Sequence, residues 1–267
     1  MLSSSMPLLP LLKGRYQARL AQDQADIARA QALRFRSFLQ RRGLAQGKGL
    51  DADEFDGLCG HVLLEERDNG RLVGCYRLLP IAAGASLRHS YAGQAYDLSA
   101  LEDYGGAKLE LGRFCLDPDC HDPDILRLAW AAMTRIVDAG AVKLLFGCSS
   151  FDGAAPGRHQ VALALLRNHL APAQWAPCPR AAQWAPRPRA AEVHRYSEET
   201  APPTLPREAI TGLPALLRTY LAMGGWVSDH AVIDRNLDTL HVFTAVEIDR
   251  IPPARARALR AVAAQPD

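Results

Sequence analysis

The chain has 267 residues, of which 48% are hydrophobic and 22% are charged, and its formal net charge is +2 at pH 7. This length accommodates one large domain or two small ones, and the composition is ordinary for a globular protein. The nearly balanced charge argues against nucleic-acid binding, and no apolar run is long enough to span a bilayer. Residues 6–12 are apolar but short, broken by prolines and without a basic start, so we expect no signal peptide.

The first part of the chain predicts a strand, a helix and a hairpin. Asp23 is a good N-cap for a helix with one apolar stripe, and Gly43 is suited to end it. A Gly-rich loop and an acidic turn follow, and Asn69-Gly70 is a strong hairpin signal. The predicted elements are strand 16–20, a helix from Asp23 to Gln40, and two hairpin strands, 61–66 and 72–80.

The most informative stretch is Leu109–Cys115, which is typical of a strand that contains two charged residues, Glu110 and Arg113. Gly112 lies between them and is poor strand material, so we expect a bulge or a place where another group approaches the backbone. Residues 74–80 contain Arg77 in a similar apolar setting and are expected to form the neighbouring strand.

The second half of the chain mixes helices and strands, which favours a layered α/β domain whose sheet is not purely parallel. We predict a loop over 82–101 and an amphipathic helix over 124–139, which Asp122 caps. The further predicted elements are strand 143–148, helix 161–170, strand 192–196, helix 213–223, strands 231–234 and 240–248, and a basic helical tail over 252–264.

Residues 173–181 and 182–190 are a tandem nine-residue duplication with one change. Two proline-rich copies are too few for a solenoid, so we expect a duplicated surface loop that makes few buried contacts. We therefore interpret 1–267 as a single domain. Its parts are a core at about 15–170 and 191–249, the duplicated loop 173–190 and the basic tail 250–267.

The stretches Gly-Cys-Tyr-Arg-Leu-Leu-Pro (74–80) and Glu-Leu-Gly-Arg-Phe-Cys (110–115) resemble the acyl-homoserine-lactone synthases and the ornithine-lipid acyltransferases. Both belong to the GCN5-related N-acyltransferase superfamily. The resemblance covers about 15–151 and 213–248, and it implies an α/β fold with a mixed, largely antiparallel sheet flanked by helices, and a C-terminal extension. Chain length and the stretches 146–151 and 225–234 favour the ornithine branch. The residues that match the shared pattern upstream are Arg34 with Phe38, and Asp53 with Asp56.

The resemblance implies an enzyme that transfers a fatty acyl group, usually 3-hydroxylated, from acyl carrier protein to the α-amine of L-ornithine, forming lyso-ornithine lipid. It implies no metal and no cofactor, because the phosphopantetheine thioester of acyl carrier protein is a co-substrate. One departure supports that donor. Coenzyme A-using relatives usually have a Gly-rich pyrophosphate loop, whereas residues 119–124 contain no glycine and three acidic residues.

Aminolysis of a thioester requires the amine to lose protons and the carbonyl oxygen to be stabilised as it gains charge. Glu110 is the candidate base, acting directly or through water, and the alternative is a structural ion pair with Arg77 or Arg34. Arg77 and Arg113 are candidates to hold the carboxylate of the acceptor, and an internal salt bridge is the alternative for both.

Four further residues are candidate substrate contacts. Asp53 and Asp56 suit the side-chain ammonium of ornithine, and a solvated acidic turn is the alternative. Ser149 and Ser150 are expected just past a strand end, where they are candidates to bind pantetheine. Aromatic side chains either line an acyl tunnel or pack in the core: Phe35, Phe38, Phe114 and Trp130.

Two other function classes stay open. An acyl-homoserine-lactone synthase uses S-adenosylmethionine as the acceptor. A non-catalytic acyl-binding domain is disfavoured by the presence of Glu110 and both arginines. We expect a cytoplasmic protein whose partners are acyl carrier protein and L-ornithine, with no nucleic acid. The basic tail, with Ile251, Leu259 and Val262 between its arginines, predicts either a solvated helix or a weak peripheral contact with the anionic inner membrane.

Overall fold

The computed structural model describes residues 10–171, 186–198 and 208–264. These residues form two compact units. The first unit takes the described residues within Met1–Pro80, Leu109–Val142 and Pro253–Asp267. The second takes Ile81–Lys108 and the described residues within Lys143–Pro252. A single domain over 1–267 stays a prediction.

The regular elements alternate along the described ranges. The strands are β1 (Leu11–Lys13), β2 (Tyr16–Leu20), β3 (Gly60–Glu66), β4 (Leu72–Ile81), β5 (Tyr96–Asp97), β6 (Ala107–Leu116), β7 (Val142–Asp152), β8 (Arg187–Pro188), β9 (Val193–His194), β10 (Trp226–Asp234) and β11 (Thr239–Glu247). The α-helices are α1 (Gln24–Arg34), α2 (Tyr91–Ala95), α3 (Ser99–Glu102), α4 (Pro123–Ala139), α5 (Gln160–Leu166), α6 (Glu208–Thr211), α7 (Ala215–Ala222) and α8 (Pro253–Ala264).

In the first unit the strand order is β1-β2-β3-β4-β6, and the first four strands pair antiparallel. The Asp23 side chain accepts a hydrogen bond from the Asp26 amide and caps α1, as predicted. A π-helix over Phe35–Gln40 continues α1, and Gly43 follows with a φ of +72°. The buried apolar residues between α1 and the sheet are Ala30, Leu33, Leu63, Leu72, Cys75 and Cys115.

In the second unit the strand order is β7-β11-β10-β9, again antiparallel. The register of β10 on β11 shifts between Val227 and Ala231, which marks an irregularity in β10. Helices α5 and α7 contribute Leu163, Leu166 and Leu217 to the core of this unit. With the first unit, this arrangement confirms the predicted largely antiparallel sheet flanked by helices.

The predicted secondary structure departs from the structure at several places, two of which are residues 82–101 and the strand at 143–148. Residues 82–101 were expected to form a loop, but they contain α2, β5 and the start of α3. The Ser90 side chain caps α2 by accepting from the Gly93 amide, a local signal that the glycines obscured. The strand predicted over 143–148 extends to Asp152, because β11 pairs with it as far as Thr239.

The basic tail forms helix α8, which packs on α4. Arg260 binds Asp138 with both Nε and Nη2, at 2.9 and 2.8 Å, and the Arg135 side chain donates to the Ala263 carbonyl. Leu259 and Val262 are half-buried and Ala263 is buried. The apolar side of the tail is therefore used within the first unit.

Most of the duplicated segment, residues 172–185, lies outside the described residues. The end of the second copy is described and is better anchored than a free surface loop. Strand β8 pairs with β5. The amides of Arg189 and Ala190 donate to the Ala95 carbonyl, at 3.0 and 3.1 Å. Of residues 186–190 only Pro186 is buried, so few buried contacts remains the expectation for the duplication.

Deleting either copy is expected to leave this anchored end in place. The chains that lack 173–181 or 182–190 differ at a single position, which is Arg187 in the first and Cys178 in the second. Because β8 is held by backbone hydrogen bonds and Arg187 is exposed, both chains should melt within about 2 to 4 °C of the full chain. Thermal unfolding of the three chains measures this. A large loss in either deletion would show that the removed residues pack on the core.

Candidate active site

A buried cluster of charged residues lies in the first unit, where the end of α1 meets the loop after the π-helix. Arg34 is fully buried. Its Nε donates to Asp51 at 2.9 Å, and its Nη1 and Nη2 donate to the two carboxylate oxygens of Asp56, at 2.8 and 2.9 Å. Two neutral side chains complete the surroundings of Asp56. Gln31 donates to its carboxylate at 2.8 Å, and the His61 ring lies 3.0 Å from its backbone carbonyl.

Strands β4 and β6 bring two further arginines to the same carboxylates. Arg77 is buried on β4 and binds Asp53 and Asp56 through Nη1. Arg113 on β6 binds Asp51 through Nε and Asp53 through Nη2, each at 3.2 Å. The cluster thus pairs three guanidinium groups with three carboxylates.

A short 3₁₀ helix, Glu54–Gly57, fixes the positions of Asp53 and Asp56. Asp53 is its N-cap and accepts from the Phe55 amide, while Asp56 accepts from the Asp53 amide, forming a capping box. Burial raises the pKa of Asp56, but hydrogen bonds from Arg34, Gln31 and Arg77 outweigh it and hold that pKa well below its usual range. Both carboxylates are therefore ionised at neutral pH.

The backbone irregularity expected at Gly112 falls one residue later. Arg113 has a φ of +51°, in the left-handed region that side chains other than glycine rarely adopt. Its ion pairs with Asp51 and Asp53 hold this conformation. At Gly112, an added Cβ would meet no other described atom within 4 Å, so the strand is open there to an approaching group.

Glu110 lies on β6, three residues before Arg113, and is buried, with 4% of its surface exposed. The charged groups that act on the Cys59 thiol include Glu110 and three members of the cluster. Burial raises the pKa of the Cys59 thiol to about 11; the charge of Arg77 lowers it, and those of Glu110, Asp53 and Asp56 raise it. The predicted base therefore belongs to the same charged region as the arginine cluster.

Other predicted contacts lie elsewhere. Phe38 packs against the apolar core of the first unit, so of its two predicted roles the structure shows core packing and not an acyl-tunnel lining. Phe114 stacks on Tyr76 with the ring centroids 5.6 Å apart. Ser149 and Ser150 lie within β7 of the second unit and not past its end. Ser149 is buried and accepts from the Thr244 hydroxyl at 3.0 Å, whereas Ser150 is exposed.

Sequence reasoning missed Asp51, Gln31, His61 and Cys59. Asp51 ties Arg34 to Arg113, and its amide donates to the Gln31 carbonyl, which fixes the loop to α1. The one feature of the sequence that could have identified Asp51 is its position two residues before Asp53. Asp51 is not among the residues that carry the family resemblance. Burial lowers the pKa of His61, so its neutral ring donates through Nε2 to the Asp56 carbonyl.

Comparison with known proteins shows which family the chain belongs to. The family model described as an acetyltransferase (GNAT) domain matches residues 33–131, a range that contains the whole cluster and Glu110. The L-ornithine N(alpha)-acyltransferase of Rhodobacter capsulatus is 33% identical over 243 residues, covering 87% of this chain and 90% of the relative. The chain belongs to the L-ornithine Nα-acyltransferase family.

Two further relatives agree with this family and its wider superfamily. The L-ornithine N(alpha)-acyltransferase of Brucella abortus is 31% identical over 256 residues, covering 89% of this chain and 86% of the relative. The acyl-homoserine-lactone synthase of Vibrio anguillarum is 33% identical over 100 residues, covering 36% of this chain and 50% of the relative. The chain is therefore an acyltransferase, and its match to the ornithine branch extends over most of its length.

Proposed function

We propose that the protein transfers a 3-hydroxy fatty acyl group from acyl carrier protein to the α-amine of L-ornithine, forming lyso-ornithine lipid. The observation that carries the proposal is the match to two L-ornithine Nα-acyltransferases over most of both chains. The charged cluster supports it, because three arginines and four carboxylates near one strand suit an acceptor that carries two amines and a carboxylate.

In the proposed reaction the amine nitrogen attacks the thioester carbonyl carbon while Glu110 takes a proton from the amine, directly or through water. The carbon–sulfur bond then breaks, and the proton passes to the departing phosphopantetheine thiolate, which leaves as a thiol. No metal or resident cofactor takes part. The carbonyl is proposed to lie against β6 at Gly112, where the backbone is open to an approaching group.

The contacts within the cluster suggest different roles for Asp56 and Asp53 in binding the acceptor. Asp56 accepts from Arg34, Arg77, Gln31 and the Asp53 amide, so we assign it to organising the site. Asp53 is less enclosed, with 22% of its side chain exposed, and is the better candidate to bind the side-chain ammonium.

Arg77 Nε is a buried nitrogen without a hydrogen-bond partner among the described residues. A buried donor of this kind costs free energy unless a partner satisfies it, which supports a contact with the acceptor carboxylate. Arg113, which shares Asp53 with Arg77, is proposed to take part in that contact.

The N-terminus of α4 supports a carrier-protein donor. Asp122 caps the helix by accepting from the Asp124 amide at 2.9 Å, and Asp124 adds a second carboxylate in the first turn. Acidic groups at this helix end disfavour a multiply charged pyrophosphate. Of the two serines predicted to bind pantetheine, Ser150 stays a candidate because it is exposed, whereas Ser149 is used in packing.

We place the reaction in the cytoplasm, where its donor is made, with a peripheral contact at the inner membrane that receives the amphiphilic product. None of the helices over the described ranges combines the length and hydropathy of a membrane-spanning segment.

The second candidate function is acyl-homoserine-lactone synthesis from S-adenosylmethionine, favoured by the partial match to the Vibrio anguillarum enzyme.

A comparison of acceptors tests the proposal. Thiol release from 3-hydroxyacyl carrier protein is expected to be fastest with L-ornithine, slower with L-lysine because its side chain is one methylene longer, and negligible with S-adenosylmethionine. The same acyl chain on coenzyme A serves as the donor control and should react more slowly. Faster release with S-adenosylmethionine, together with lactone formation, would replace this function with autoinducer synthesis.

A further inference from the structure

Exposed leucines are concentrated in one stretch of the first unit, between the π-helix and β3. Leu44, Leu50 and Leu58 have 42%, 54% and 55% of their surface exposed. Among the described residues, the other large hydrophobic side chains exposed to this degree are Val161 and Ile210. Single exposed apolar residues are ordinary, but three of these five lie within fifteen positions of one another in the sequence, which makes this stretch the candidate contact with another apolar phase.

The backbone of this stretch is held in place, so the leucines are not exposed through loss of packing. The Leu44 amide donates to the Leu39 carbonyl at 2.9 Å, and the Asp51 amide donates to the Gln31 carbonyl at 3.1 Å. Between them, Gly49 lies directly against the Phe35 ring. We call residues 41–50 together with Leu58 the leucine loop.

The charged side chains within the leucine loop are basic, and the exposed acidic residue between Leu50 and Leu58 is Glu54. Arg41 and Lys48 are exposed and Arg42 is half-exposed. The nearby carboxylates of the cluster, in contrast, are paired with arginines that come from α1, β4 and β6. Because the net charge of the whole chain is only +2, attraction to an anionic partner depends on such local groups.

We propose that the leucine loop is the surface by which the protein docks on an anionic membrane. Exposed lysine and arginine are attracted to an anionic lipid surface, and exposed leucine side chains gain free energy by leaving water for its apolar region. Protein interfaces instead concentrate aromatic side chains, are depleted in lysine, and rarely have leucine as a hot spot. No aromatic residue is among the large hydrophobic side chains exposed in the described part of the chain.

The basic tail is the other candidate membrane contact, but its apolar side is already used within the first unit. The apolar side of α8 is packed on α4, and Arg260 is bound to Asp138, so docking through the tail would require α8 to detach. The inference rests on the membrane contact proposed above and assigns it to named residues. It does not depend on the acceptor, because lipid binding is measured without substrates.

The test is sedimentation of the full chain with vesicles of mixed phosphatidylcholine and phosphatidylglycerol, compared with phosphatidylcholine alone. Leu44→Ser/Leu50→Ser/Leu58→Ser is expected to weaken binding to the mixed vesicles by about tenfold or more. The matched control is Val161→Ser/Ile210→Ser, which removes equally exposed apolar groups outside the loop and should bind like the wild type. Arg41→Gln/Lys48→Gln should weaken binding mainly at low salt, whereas Arg255→Gln/Arg257→Gln on α8 should not.

Several results would overturn the proposal. They are a wild-type chain that does not sediment with the mixed vesicles, a triple serine variant that binds like the wild type, and equal losses in the loop variant and its control. A triple serine variant that binds vesicles normally but loses acyl transfer from the carrier protein would make the loop a protein-docking surface instead. Melting temperatures confirm that each variant is folded, and the acceptor assay with soluble substrates tests the proposed function separately.

Discussion

Replacing Glu110 with glutamine is expected to lower turnover by about 10²-fold or more without unfolding the protein. The side chain is buried on β6 in the charged region that includes Arg77 and Asp53, so it can meet an acceptor held by these groups. Glutamine keeps the size and the hydrogen-bonding shape of the side chain but cannot take the proton of the amine. Steady-state rates of thiol release with L-ornithine measure the loss.

The pH dependence separates a base from a structural ion pair. The residual rate of Glu110→Gln should rise steeply with pH, because the fraction of ornithine with a neutral α-amine rises. The control is Glu54→Gln, an exposed glutamate in the adjacent 3₁₀ helix, which should keep the wild-type rate. Loss of the folded circular dichroism spectrum in Glu110→Gln would assign the residue to structure. A folded, fully active variant would remove it from both catalysis and binding.

Local signals in the sequence were sufficient for the elements that frame this site. The Asp23 cap depends on a residue three positions away, and the hairpin depends on Asn69-Gly70, where Gly70 has a φ of +68°. The apolar period of α4 and its cap at Asp122 are likewise contained within a few turns of chain. Such features depend on neighbours in the sequence and can be predicted from it.

The interior of the site depends on distant partners, which the sequence does not identify. Nothing in the local pattern tells that Asp51 will bind Arg34, seventeen positions earlier, or Arg113 on another strand. Gly112 is the residue best suited to a left-handed backbone, yet Arg113 adopts it because two carboxylates hold its side chain. The contacts of the Arg113 side chain therefore contribute more than the left-handed conformation costs, which is about 1–2 kcal/mol.

Removing the carboxylate of Asp56 is expected to cause the largest loss of stability of any single substitution in the cluster. Asp56→Ala leaves Arg34, which is fully buried, and Arg77 without a shared partner. Breaking a buried ion pair from one side costs about 3–5 kcal/mol, because the remaining charge stays away from water. For a chain of this size, the melting temperature should fall by at least about 6 °C.

A surface pair provides the matched control for this loss. Asp124 binds Arg127 at 2.6 Å, but 51% and 63% of the two side chains are exposed. Asp124→Ala should therefore cost less than about 1 kcal/mol. Equal melting temperatures for Asp56→Ala and Asp124→Ala would show that the cluster contributes to function without stabilising the fold.

Acid unfolding tests the same carboxylate by protonating it instead of removing it by substitution. The arginines hold the pKa of Asp56 below its usual value near 4, so the ionised group stabilises the folded state fully above that value. This stabilisation is lost progressively as the pH falls from about 4 toward the lower folded pKa. Asp56→Asn lacks it at every pH, so its free energy of unfolding should start lower at neutral pH and decline less steeply below pH 4 than that of the wild type. Parallel curves for the two chains would mean that Asp56 does not titrate with folding, and that its pairing with Arg34 is not the source of the stability at neutral pH.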